Sequence, residues 1–207
     1  MNLINAVLNA IPVALVIACI IAITIKEFTK ALVSTTLGDQ LPKRDSRLTL
    51  NPIKHIEPIG LFLMVFFRVG WGKPVETSSL YYKNRKRDTI ITYTLPSLMN
   101  FVAGIIFSLL YFNALLAVGM NFFTSILLQA AFMNFNLALF NIIPVPPLDG
   151  AKILSTFLSP NAVIKMASNE KLFQIALIFL IVWWNSPLTG FINRISLTIV
   201  MELSRFM

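Results

Sequence analysis

The feature that most limits what this chain can become is an apolar block near its start. Ile4 to Ile25 is 22 residues long, and its only polar side chains are Asn5, Asn9 and Thr24, with one proline, Pro12. As a helix rising ~1.5 Å per residue it spans about 33 Å, enough for the hydrocarbon core of a bilayer. No Lys or Arg precedes it and no small-residue cleavage site follows it, so it reads as a retained membrane helix. The helical pattern continues through Lys26 to Leu37, and Gly38 is a natural stop.

Composition generalises the point. The chain has 207 residues, 57% of them apolar and only 13% charged, where a soluble domain carries roughly 25% charge. Mean hydropathy is +0.77. Three further spans are expected, at 89–118, 122–143 and 172–190. The second of the four contains Pro96 and Asn100, the third Asn134, Asn136 and Asn141, and Pro144, Pro146 and Pro147 end the third. Trp183 and Trp184 fall where an interfacial aromatic belt would lie. Residues 188–206 either complete the last span or lie on the surface. Ile59 to Phe67 is too short to cross and reads as a re-entrant or interfacial segment, ended by Arg68. Gly70, Gly72 and Pro74 then break any helix, and Gly72 to Tyr82 is expected to form short strands. The expectation is one membrane domain over residues 1–207.

The net charge of +8 does not point to nucleic acid, because it is concentrated in one loop. Twelve of the 17 basic residues lie between Lys26 and Arg87, and three between Pro144 and Lys171. The positive-inside rule puts both segments in the cytoplasm and both termini outside. The run Lys83, Arg85, Lys86 and Arg87 reads as a topology determinant at an anionic lipid surface. Cys19, the single cysteine, cannot form an intrachain disulfide.

Five stretches follow one another in order: Lys26-Glu27-Phe28-Thr29-Lys30, then Arg47-Leu48-Thr49-Leu50-Asn51-Pro52-Ile53-Lys54-His55-Ile56-Glu57-Pro58, then Gly70-Trp71-Gly72-Lys73-Pro74-Val75. Pro96-Ser97-Leu98-Met99-Asn100 and Asn141-Ile142-Ile143-Pro144-Val145-Pro146-Pro147-Leu148-Asp149-Gly150 complete the set. From about residue 20 to residue 155 this succession resembles the compact bacterial site-2 proteases, intramembrane zinc metalloproteases. The resemblance implies an all-α integral membrane core of about four transmembrane helices with a re-entrant segment. It also implies a site in which two helix histidines and a distant aspartate hold zinc, beside a glutamate that works on metal-bound water. The spacing suits that chemistry, since positions i and i+4 share a helix face and zinc lowers the pKa of its water.

The matching glutamate is Glu27 and the matching aspartate Asp149, but the two histidine positions hold Lys26 and Lys30. A protonated ammonium has no lone pair for zinc and repels the cation. The resemblance places both lysines facing Asp149, where two ammoniums and two carboxylates sum to zero, as zinc with two carboxylates does. A four-charge crosslink between the first helix and the end of the third is therefore expected. The second-helix stretch also departs from the family pattern, with Pro96 at its glycine position and Ser97 at its proline position. Asn100, Asn141, Pro147 and Gly150 are the residues that the resemblance implies line the site. His55 reads as a loop histidine bonded to backbone near Pro52 and Pro58.

The leading expectation is a non-catalytic homologue that binds or scaffolds a transmembrane partner. No cofactor is expected, and zinc only if the family chemistry survives. The first alternative is an active intramembrane zinc metalloprotease with unusual ligation, or one silenced by exchange of its histidines, cleaving transmembrane substrates. The second is a transporter or proton conductor that uses the buried charges. Membrane lipid is an expected partner. The expected location, implied by the resemblance, is the bacterial inner membrane with the site toward the cytoplasm.

Overall fold

The computed structural model describes residues 3–183 and 187–206, the side chains of 3–12, 183 and 206 excepted. The described residues are helical or irregular, with no strand among them. The elements are α1 (Leu3–Thr36), α2 (Leu41–Arg44), α3 (Pro58–Phe67), α4 (Arg85–Val118), α5 (Phe122–Asn141), α6 (Asp149–Ser155), α7 (Pro160–Ser168), α8 (Glu170–Trp183) and α9 (Pro187–Leu203).

Arg85–Val118 and Phe122–Asn141 are long and apolar enough to cross a bilayer. Glu170–Val182 and Pro187–Leu203 together are apolar enough for a third crossing, but their axes bend by 70°. The expected belt residue Trp184 lies outside the described residues. The chain is thus an all-α integral membrane protein.

Local signals set the helix ends. Asn84 caps α4 by accepting from Arg87 N–H at 3.1 Å. At α5, Asn121 and Thr124 form a reciprocal capping box. Glu57 caps α3 by accepting from Gly60 N–H, and Pro58 occupies the first helical position, where its missing N–H costs nothing. α1 ends just before Gly38, whose φ is +114°.

A short turn at 119–121 makes α4 and α5 an antiparallel pair, and α1 packs along both. On α1, Leu15, Ala18, Cys19, Ala22 and Ile23 are buried against Met64, Ala130, Met133 and Leu137. Their spacing is that of one helix face. Three of the five are small, which lets membrane helices approach closely. Continued by one and two turns, the same face presents Lys26 and Lys30. A second cluster, including Leu63, Trp71, Phe140, Leu148 and Ile181, ties α3, α5, α8 and α9 together behind the site.

The strands expected in Gly72 to Tyr82 are absent: the segment is irregular and ends in a 3₁₀ turn at Ser79–Tyr81. The physical reason is where its backbone groups find partners. Lys73 N–H donates to the His55 carbonyl at 2.8 Å, and Ser78 N–H to Asp39 Oδ2 at 2.7 Å. The Arg47 guanidinium donates to the carbonyls of Lys73 and Pro74 at 2.6 and 3.2 Å. Side chains and one loop carbonyl do what a neighbouring strand would otherwise do.

Candidate functional site: a buried four-charge cluster

Lys26, Glu27 and Lys30 stand near the C-terminal end of α1, and Asp149 opens α6. All four are buried, at 3, 0, 2 and 3% exposure. Lys26 Nζ lies 2.9 Å from Glu27 Oε1 and 3.0 Å from Asp149 Oδ2. Lys30 Nζ lies 2.6 Å from Asp149 Oδ1 and 3.5 Å from Glu27 Oε2. Each ammonium therefore touches both carboxylates and each carboxylate touches both ammoniums. Charges taken out of water at this depth persist only when paired in this way.

Three close approaches hold the cluster. Val75 N–H reaches Glu27 Oε2 at 3.3 Å. Gly72 lets that loop cross directly over α1, since a Cβ there would lie 2.6 Å from Ile23 Cγ2 and 3.0 Å from Glu27 Cγ. At Gly150 a side chain would collide with the carbonyls of Ile142 and Ile143, so glycine is what allows α6 to start against the end of α5. That contact sets the position of Asp149. The Tyr93 ring lies below Lys30 Nζ, 5.4 Å from ring centroid to nitrogen, and its hydroxyl is 2.8 Å from Thr77 Oγ1.

An open cleft of ≈ 540 Å³ leads to the cluster, with Lys30, Val75, Thr77, Tyr93, Pro147 and Asp149 in its wall. Pro147 thus stands at the site, as Gly150 does beside it. Asn100 and Asn141 are buried but do not line this cleft. Asn100 donates to the Ala22 carbonyl at 3.0 Å, one turn before Lys26, and Asn141 to Leu137 of its own helix at 2.9 Å. Both sit in the helix bundle next to the charges and not against them.

The sequence assigns no role to Arg47, Val75 or Tyr93. Arg47 and Val75 lie inside the motif stretches, so a signal existed. Tyr93 sits in an apolar run and gave none. His55 is fully buried, its Nε2 2.7 Å from the Thr49 carbonyl, and burial holds its pKa below the ordinary value. Its backbone partner is Thr49, a few residues upstream of the prolines that the sequence suggested.

Zinc does not fit the groups present. Its tetrahedral sites need three protein donors with free lone pairs. Here Glu27 and Asp149 are the two carboxylates, and both are bound to ammonium groups. Lys26 and Lys30, the other two members of the cluster, bring positive charge and, when protonated, no lone pair. Among the described residues no three His, Cys, Asp or Glu side chains gather as a metal set. The arrangement is an ionic crosslink between α1 and α6 and contains no free base.

The model of peptidase family M50 matches residues 1–183. The chain is 32% identical over 165 residues to a Bacillus subtilis (strain 168) protein named "Putative zinc metalloprotease YwhC", an alignment covering 75% of this chain and 74% of that relative. No solved structure matches the chain significantly.

Proposed function

The chain belongs to peptidase family M50, the site-2 protease family, and from that premise we propose that it is a non-catalytic member that binds transmembrane helices. The observation that carries this reading is the contact of Lys26 and Lys30 with both carboxylates at 2.6–3.5 Å. Hydrolysis of this kind needs a metal-activated water and a carboxylate free to take its proton. Here Glu27 accepts from Lys26 Nζ and Val75 N–H. The crosslink instead stabilises the helix arrangement from which the family's activity would otherwise operate.

The partner is a membrane-embedded helix that enters beside the open cleft. The concentration of basic residues between Lys26 and Arg87 supports a cytoplasmic position for the site. The same charge bias, with α1 antiparallel to α4, supports reading α1 as a further span with its N-terminus outside. The antiparallel sense follows from Asn100 meeting Ala22 while Tyr93 meets Lys30. A bacterial plasma membrane fits the Bacillus relative.

The test is zinc content and peptide cleavage of the purified full chain, with and without Lys26→His/Lys30→His. We expect the unsubstituted chain, incubated with zinc and washed, to retain none and to cleave nothing. About one zinc per chain together with cleavage of a transmembrane substrate would overturn the reading. The double histidine variant reports whether the surrounding framework is still that of a protease. Zinc uptake and cleavage only after substitution would support the reading that the two lysines are what silences it.

A further inference from the structure

Tyr93 also lines a second cleft, of ≈ 440 Å³. The two clefts share Thr77, Tyr93 and Lys152. The charged residues lining the second are Arg85, Lys86 and Lys152, and no Asp or Glu is among them. Ser79 and Thr89 line the same space, while the Tyr82 and Thr156 hydroxyls, also on its wall, are bonded to Ser34 and Thr92 and to the Ile153 carbonyl. Among the described residues the three cations form no ion pair, unlike neighbouring Arg87, which lies 2.9 Å from Asp88.

Apolar groups border this cleft: Val163 is in its wall, and the exposed Phe157 ring has its centroid 4.3 Å from Lys86 Nζ. The cleft also sits at the first turn of α4, whose remainder is long and apolar enough to cross the bilayer. In a bilayer crossed by α4, that first turn would lie beyond the apolar stretch, where hydrocarbon gives way to headgroups. Three cations without a carboxylate partner, beside Ser79 and Thr89, complement a phosphate group. Apolar groups at headgroup depth complement the glycerol and first methylenes of a lipid. Basic pockets beside membrane helices bind lipid headgroups on this basis.

We infer that this cleft binds the phosphate of an anionic phospholipid headgroup, with Arg85, Lys86 and Lys152 as its cationic contacts. A soluble phosphoryl compound offers the same anion without acyl chains, and the test separates the two. Occupancy would fill the space against Tyr93 and so border the site cleft.

The test is native mass spectrometry of the detergent-purified full chain with dioleoyl phosphatidylglycerol, and calorimetric titration of the same protein with inorganic pyrophosphate. The cleft variant is Arg85→Gln/Lys86→Gln/Lys152→Gln. The control, Lys43→Gln/Arg44→Gln/Lys83→Gln, removes the same charge from exposed residues outside the cleft. We expect one retained lipid on the unsubstituted chain and the control, and at least tenfold weaker retention in the cleft variant. Cleft-dependent binding of pyrophosphate without lipid retention would overturn the lipid assignment in favour of a soluble ligand. Equal loss in both variants, or no retained lipid at all, would overturn the site and leave diffuse surface charge. Matching melting temperatures establish that the variants fold, and Lys152→Gln alone, with an intermediate loss, stands in for a triple variant that does not.

Discussion

Among the described residues, two of the buried polar regions are satisfied in different ways. In the charge cluster every group has partners of opposite sign, and the central pair, Lys30 and Asp149, is 119 residues apart in the chain. In the helix bundle Asn100, Asn134, Asn136 and Asn141 each use the amide nitrogen, while each Oδ1 has no hydrogen-bond partner. Two of these asparagines donate to their own helix, to Ala130 and Leu137. The other two reach further, Asn100 to Ala22 and Asn136 to Arg68 and Asn193. A neutral amide tolerates half-satisfaction at modest cost, whereas an unpaired buried charge does not. Tertiary geometry is therefore under far tighter constraint at the site than in the middle of the bundle.

The largest effect should come from unpairing a charge. Asp149→Ala leaves two buried ammoniums facing one carboxylate and should cost roughly 3–5 kcal/mol, read as a lower midpoint of unfolding in detergent. Replacing a pair, with Lys30→Met and Asp149→Leu together, should cost clearly less than Asp149→Ala alone. An additive or larger loss in that double variant would break the contrast with the neutral amides.

Gly72→Ala comes next, because the new methyl would press on Ile23, the His55 carbonyl and the Glu27 stem; overpacking of this kind costs about 1–3 kcal/mol. Thermal unfolding followed by tryptophan fluorescence would show whether the loop's approach to α1 matters as much as the charges it covers. Asn100→Leu should cost about 0.6 kcal/mol, the average for a hydrogen bond between membrane helices. Asn134→Leu, whose partner is within its own helix, should cost less than Asn100→Leu. The reverse order in a denaturant titration would show that the bond of Asn100 across to α1 is not what sets the cost.

The smallest effect concerns pH. His55 is held below its ordinary value of 6.5 by burial, so the folded state takes up its proton less readily than the unfolded chain. Its contribution to stability is fully present above pH 6.5 and is lost as pH falls through the lowered folded value. His55→Gln should flatten the dependence of melting temperature on pH below 6.5. An unchanged slope would remove the loop from the list of constrained polar regions.

The sequence by itself determined the membrane class, the family and the identity of the four charged residues. These follow from local quantities: apolar run length, proline and glycine punctuation, and motif order. It also indicated the short helix α3, because nine apolar residues bounded by Pro58 and Arg68 are too few to cross. It did not reveal that Gly72 to Tyr82 stays irregular, because its extended backbone is satisfied by Arg47, Asp39, Glu27 and His55, which no local pattern points to. Nor did it reveal Tyr93 beneath Lys30. Only the tertiary structure decided that each lysine touches both carboxylates, since that depends on α6 starting against the end of α5 at Gly150. The chemistry of the groups is written in the chain, but ion pairing depends on distance, and distances between residues 26 and 149 exist only once the helices have packed.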